Sequence, residues 1–176
     1  MPNYAIDQIL IDASQLHHRV RAMGQEITAA YAETDALVLV GILRGALYFL
    51  ADLSRAIEVP VQIDLISVAS YSGTESSGTV TLLKDLDDEI QGKDVLIVED
   101  IIDTGRTLHA LLDHLRGHRP RSLGVCALLD KPDRRITPVP VDYVGFTIPD
   151  HFVVGYGLDY DQSYRNLPHI ARLKPA

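Results

Sequence analysis

The chain carries a single cysteine, Cys126, in 176 residues, which excludes an intramolecular disulfide. It lies within the apolar run Leu123–Leu129 and so reads as a buried, inert thiol rather than a nucleophile. Basic charge is also scarce. Sixteen Lys and Arg stand against 24 Asp and Glu, for a formal net charge of −8. Such a surface argues against a general nucleic-acid or anionic-membrane binder, either of which needs a basic face. No apolar run approaches the roughly 18 residues of a membrane-spanning helix. Met1–Leu10 lacks a basic region followed by a long apolar core, so a cytoplasmic protein is expected. There is no internal repeat and no Walker A loop. The only low-complexity stretch is Ser72–Thr79, SGTESSGT, which reads as a loop of small polar residues.

What is present is the composition of a soluble globular chain, 47% hydrophobic and 23% charged. The length suits one domain, residues 1–176, burying about two-thirds of the unfolded surface. Ile6–Ile11 reads as a short edge strand. Leu16, Val20, Met23, Ile27 and Tyr31 recur at helical spacing. Strands are expected at Ala36–Leu43, Val61–Ser70, Val80–Leu83, Val95–Val98, Ser122–Leu129 and Asp142–Phe146, with a short extended piece at Phe152–Tyr156. Helices are expected at Ala46–Ile57 and after Thr107, where Leu108, Leu111, Leu112 and Leu115 form a stripe ended by Gly117 and Pro120. Strands alternating with helices imply an α/β fold, a mostly parallel doubly wound sheet with helices on both faces.

The segment Val95–Leu108, VLIVEDIIDTGRTL, concentrates the chemistry. A continuously apolar strand suits the middle of a parallel sheet. Glu99 and Asp100 follow at its carboxyl end, where open α/β sheets bind ligands. Asp103-Thr104-Gly105-Arg106-Thr107 then opens a helix. Free backbone N–H groups and the positive dipole end make that start a natural phosphate site. The acid pair beside it suits sugar hydroxyls or a hard cation. A phosphorylated sugar is the ligand these residues suggest.

This segment resembles the phosphoribosyl-pyrophosphate (PRPP) motif of the type I phosphoribosyltransferases, and the chain from about Ala36 to Ile170 resembles their hypoxanthine–guanine branch. The resemblance implies a PRPP-binding fold with a small base-binding hood built from the chain ends. It implies transfer of phosphoribose from PRPP to a 6-oxopurine, giving IMP or GMP and pyrophosphate, in a homodimer or homotetramer with no nucleic-acid or membrane partner. On it, Asp103 is the catalytic acid/base, and Thr104, Gly105, Arg106 and Thr107 cradle the 5′-phosphate. Leu43, Arg44, Gly45 and Arg165 bind pyrophosphate, with Arg44 standing where the family has Lys and with the preceding peptide expected to be cis. Glu99 and Asp100 grip the ribose and, with Asp159, hold Mg²⁺. Lys131 meets the purine carbonyl, Phe152 stacks on the base and Val153 contacts it through its backbone. Ser70 and Tyr71 begin a lid.

Residue types alone leave other readings open. Gly41–Ala46 fits a plain βα turn, Phe152 and Val153 fit a core, and Arg165 fits a surface turn. Lys131 reads as a solvated strand-end lysine, and Asp130, Asp133, Arg134 and Arg135 as solvated charge. His114 and His118, at i, i+4 near a helix end, read as partners of the helix dipole rather than as metal ligands. A phospho-acceptor receiver domain would leave the Asp-Thr-Gly-Arg-Thr cradle unexplained. A PRPP-fold regulator of RNA or DNA would need a basic face. Lys131 with Phe152 favours an oxopurine over uracil or adenine, because an ammonium only donates hydrogen bonds.

Overall fold

Alternating apolar side chains along three adjacent strands decide the architecture. In β2 (Leu37–Leu43), Leu37 and Leu39 face one side, and Val38, Val40 and Ile42 the other. In β5 (Asp94–Ile102), Leu96 and Val98 oppose Val95 and Ile97; in β6 (Ser122–Asp130), Cys126 and Leu128 oppose Val125 and Ala127. Both faces are apolar, so both must be covered. α1 (Ala13–Ala30) and α2 (Leu47–Ala56) cover the first through Leu16, Val20, Met23, Ile27, Phe49, Leu50 and Leu53. α3 (Arg106–Gly117) covers the second through Leu108, Leu111, Leu112 and Leu115.

The computed structural model describes residues 4–70 and 80–175. With β3 (Val61–Ser70), β4 (Val80–Lys84) and β7 (Tyr143–Thr147), the main sheet has the order β4-β3-β2-β5-β6-β7. All its pairings are parallel except β3 with β4. From β2 the chain winds outward to β3 and β4, and from β5 it winds the other way to β6 and β7. The carboxyl ends of β2 and β5 therefore meet at the topological switch point, the crevice where such sheets bind ligands.

A second sheet, order β1-β9-β8, joins β1 (Tyr4–Ile11), β9 (Ile170–Pro175) and β8 (Val153–Val154) in antiparallel pairs. It is the hood of chain ends expected above. Asp7 ties β1 to β9 by accepting from Arg172 Nε at 2.8 Å and pairing with Lys174 at 2.9 Å. Two sequence expectations are corrected here. The extended piece shrinks to two residues, because Gly155, Tyr156 and Gly157 all turn to positive φ. β9 had no counterpart in the expected elements, since Ala171-Arg172-Leu173-Lys174-Pro175 is too short and mixed to announce a strand and its partner lies at the opposite chain end.

β5 carries the chemistry at its carboxyl end and is pinned at its amino end by buried Asp94. That carboxylate accepts from Arg121 Nε at 2.9 Å, Ser122 Oγ at 2.7 Å and Thr34 Oγ1 at 2.7 Å. The Arg121 guanidinium above all, helped by the two hydroxyls, outweighs burial and holds the Asp94 carboxyl well below the usual carboxylate range. Because the folded value is depressed, the stabilisation is complete above about pH 4 and is lost as pH falls through the folded value. Asp94→Asn is expected to cost on the order of 2 kcal/mol near neutral pH, with the gap to wild type narrowing below about pH 4. Urea titrations in the two ranges check both the size and the sign.

Candidate active site

Two turns face each other across the switch point. The first follows β2, where the Leu43–Arg44 peptide is cis, as expected. Gly45 then presses its backbone on Asp100: a Cβ there would lie 1.6 Å from Asp100 Oδ2. The second follows β5. Asp103 and Thr104 lead to Gly105, whose φ of 82° precedes the first residue of α3. Gly105 is doubly constrained, since a Cβ would also lie 2.3 Å from the Thr137 carbonyl oxygen. Thr104 O accepts from Ile136 N and Thr137 N, both at 3.0 Å, which anchors the cradle to the segment after β6.

Between the turns is a cavity of about 300 Å³. Leu43, Arg44 and Gly45 line it from β2, with Glu99, Asp100, Asp103, Thr104, Gly105 and Thr107 from β5 and α3. Asp159 and Arg165 reach it from the loop after β8. Arg165 pairs with Asp159 at 2.7 Å and donates to Gly157 O at 2.7 Å. Gln162 N donates to Asp159 Oδ2 at 2.8 Å, and Arg44 Nη1 donates to Gln162 Oε1 at 3.3 Å. Burial pushes both the Glu99 and Asp100 carboxyls above their ordinary range, and Asp100's charge pushes Glu99 further. Two adjacent, partly desolvated carboxylates are well matched by hydroxyl donors or a cation. The αL glycine at a helix start supplies N–H donors to an anion a few residues away. The arrangement suits a ligand that carries phosphate and hydroxyls together.

The remaining expected residues divide. Arg106 is exposed at the first position of α3 and does not line the cavity. Lys131 is buried, against its residue-type reading as a solvated lysine, and its ammonium lies 3.5 Å from Asp150 Oδ1. Arg165, whose residue type fitted a surface turn, is instead largely covered by the cavity loop. Val153 is core, whereas Phe152 is 52% exposed with its ring edge-on to Tyr160. Ser70 ends β3; Tyr71 and the Ser72–Thr79 loop lie outside the described residues.

Two charges read from sequence as solvated, Asp130 and Arg135, are covered instead, and a third, Arg134, is exposed but engaged. The Arg135–Asp130 pair is mostly covered, and Arg135 Nε donates to Asp103 O at 3.2 Å. Arg134 Nε donates to Asp103 Oδ1 at 3.0 Å. Asp133 and Arg134 are exposed, as read, though Arg134 still reaches Asp103. The cause is a single 3-10 turn, Pro132–Arg134, which folds this segment back over the cradle. Pro132 is the one local signal for that turn; nothing in the sequence pointed to its target.

The family model for the phosphoribosyl transferase domain matches residues 12–161. The chain belongs to that family. The hypoxanthine phosphoribosyltransferase of Salmonella typhimurium is 48% identical over 94% of each chain. The hypoxanthine-guanine phosphoribosyltransferase of Mycobacterium avium is 51% identical over 97% of this chain and 87% of its own. The crystal structure of a hypoxanthine-guanine phosphoribosyltransferase from Bacillus anthracis superposes with a TM-score of 0.92 at 46% identity, covering 98% of this chain and 99% of that one. Fold and motif thus agree across nearly the whole phosphoribosyltransferase chain.

The cradle can be tested without substrate. Gly105→Ala places a Cβ at a left-handed position, at about 1–2 kcal/mol, and adds the clash with Thr137. At about 2–4 °C per kcal/mol for a chain of this size, Tm should fall by roughly 3–8 °C, with weaker binding of inorganic phosphate. Gly117→Ala, where a Cβ meets nothing within 4 Å, should leave both nearly unchanged. Thermal melts and phosphate titration check the contrast.

Proposed function

We propose that the protein is a purine-salvage hypoxanthine or hypoxanthine–guanine phosphoribosyltransferase. The observation that carries the reading is one cavity at the switch point, lined by the Glu99–Asp100 pair, Asp103 and the Gly105 cradle. Its relatives' names agree with it. In this reading Thr104, Gly105 and Thr107 receive the 5′-phosphate at the α3 start, with Arg106 at the rim. Leu43, Arg44, Gly45 and Arg165 receive the pyrophosphate. Glu99 and Asp100 bind the ribose hydroxyls. The C1′–oxygen bond to pyrophosphate breaks as purine N9 bonds to C1′, and Asp103 takes the proton from N7. Lys131 donates to the carbonyl at C6, Phe152 stacks on the base and the Val153 backbone borders it.

Glu99, Asp100 and Asp159 are also the groups that would hold Mg²⁺. Their donor set fits, being hard carboxylate oxygens, two of them in a pair whose burial disfavours adjacent bare charges. When bound, the ion neutralises the departing pyrophosphate. The family likeness further supports a cytoplasmic homodimer or homotetramer formed from one-domain chains, with Ser70 and Tyr71 at a lid.

A PRPP-dependent assay with hypoxanthine, guanine, xanthine, adenine and uracil tests the whole reading; turnover of adenine or uracil alone would overturn it. Asp103→Asn should lower kcat by roughly 10²–10⁴ while PRPP binding is kept. Lys131→Ala should lose one charge-assisted hydrogen bond, about 1.5–3 kcal/mol, and so roughly 10–100-fold in kcat/KM for hypoxanthine, with KM for PRPP little changed. Steady-state kinetics in both substrates check each variant.

A further inference from the structure

We propose that Asp85, His114 and His118 form a surface site for a divalent transition-metal ion of the zinc, nickel or cobalt kind. The i, i+4 histidines alone did not justify a metal; the structure adds a third donor from a different element. Asp85 follows β4 directly, and both its oxygens face His114 Nε2, at 3.0 and 3.1 Å. The His114 and His118 rings stand edge to face with centroids 5.0 Å apart. One donor atom from each of the three lies within 4.8 Å of the others. Asp85 is held in place: Leu86 N donates to its Oδ1 at 2.8 Å, and Lys84 Nζ bonds Asp85 O, Leu65 O and Asp87 Oδ2. Two imidazoles and one carboxylate suit a borderline ion rather than Mg²⁺, which prefers an all-oxygen shell. Tetrahedral bonds of about 2.1 Å set donors roughly 3.4 Å apart, so the group must contract modestly, which a turn of His118 at the helix end allows. The metal would clip the end of β4 to the end of α3. Competition titration of Zn²⁺ against a chromophoric chelator tests it. One equivalent should bind and raise Tm, and Glu99→Gln/Asp100→Asn protein should retain that equivalent. His118→Ala and Asp85→Ala should each weaken it by at least ~10-fold, the loss that removal of even an outer partner brings. No binding by the wild type, or undiminished binding in His118→Ala, would overturn the site.

A separate observation concerns the base. Resting on the proposed roles of Asp103 and Lys131, the geometry points to Arg134 and Asp150 as positioning residues that set the spacing of those two side chains. Arg134 Nε donates to Asp103 Oδ1 at 3.0 Å, and its Nη1 lies 3.5 Å from Asp150 Oδ2. Asp150 Oδ1 in turn lies 3.5 Å from Lys131 Nζ. The charges alternate along the chain Asp103–Arg134–Asp150–Lys131. Arg134, Asp103 and Asp150 are each about half exposed, and pairs so exposed add little to stability. Their value is geometric. N7 and the carbonyl oxygen lie on the same edge of a 6-oxopurine, yet their partners come from two loops, after β5 and after β6. Arg134 engages Oδ1 of Asp103 and so presents Oδ2 to N7, while Asp150 draws the Lys131 ammonium toward the same edge. Misplacement by about an ångström costs on the order of 10²-fold in rate. Arg134→Ala and Asp150→Ala should each lower kcat/KM for hypoxanthine by roughly 10–100-fold, with KM for PRPP and Tm unchanged. The double variant should fall no further than the worse single, because the two act as one unit. Asp103→Asn is measured beside them. If it keeps wild-type turnover, the reading of Asp103 is wrong; if it is slow while Arg134→Ala and Asp150→Ala use hypoxanthine normally, the positioning role alone is wrong.

Discussion

The constraint on which the site depends is the placing of two adjacent, half-buried carboxylates, Glu99 and Asp100, side by side at the end of the central strand. Left alone, such a pair is unfavourable, since burial and mutual repulsion both resist ionisation. The surrounding design accommodates it. Gly45 removes its own side chain from the space that Asp100 Oδ2 occupies, and the Gly105 cradle sets N–H donors on the other flank. A ligand with hydroxyls and phosphates relieves both deficits at once. On the proposed reading, the substrate's hydroxyls and phosphates answer that electrostatic demand.

The fold keeps that demand in place by fixing β5 at both ends. At the amino end Asp94 gathers Arg121, Ser122 and Thr34; at the carboxyl end the segment after β6 closes on Thr104 O. Between them Val95–Val98 are fully buried, covered by α1 and α2 on one face and by α3 on the other. The hood docks against the same centre. A Cβ on Gly157 would lie 2.0 Å from Gly45 O, so the loop after β8 touches the very turn that faces Asp100. Tyr156 OH donates to Asp52 on α2 at 2.5 Å, and burial pushes that phenol far above its ordinary range, so it stays a donor.

How much of this was legible depends on the range of the interaction. β5, the acid pair, the cradle and the α3 stripe lie within one continuous segment, so local periodicity and motif spacing disclosed them together. β3 was read at its observed bounds because apolar patterning and turn residues mark both ends. The hood was harder. β9 pairs with β1 across nearly the whole chain, and no local pattern reports such a partner. Asp130 and Arg135 were misread for the same reason: a run of charges after a strand is ordinarily solvated, and only the fold-back at Pro132 covers that pair, while Arg134 stays exposed as read even though its Nε reaches Asp103. The burial of Lys131 was not legible from its residue type, because it depends on Asp150 and on packing, neither of which its neighbours encode.

The charged side chains of the site share one further property: most already have partners. Arg165 is held by Asp159 and Gly157 O, Arg44 by Gln162, Arg134 by Asp103 and Asp150, and Lys131 by Asp150. Binding therefore exchanges one partner for another rather than desolvating a bare ion, which reduces the unfavourable part of bringing charge into a closed site. It also limits the net gain from each contact, because every new ion pair replaces an old one. Discrimination among ligands then rests on geometry, on whether an incoming group can take the position its protein counterpart vacates. On the proposed reading, pyrophosphate, with several oxygens on a flexible frame, takes the place of a carboxylate beside Arg165. A planar base has no such latitude, so the part of the site facing it has to be set in advance.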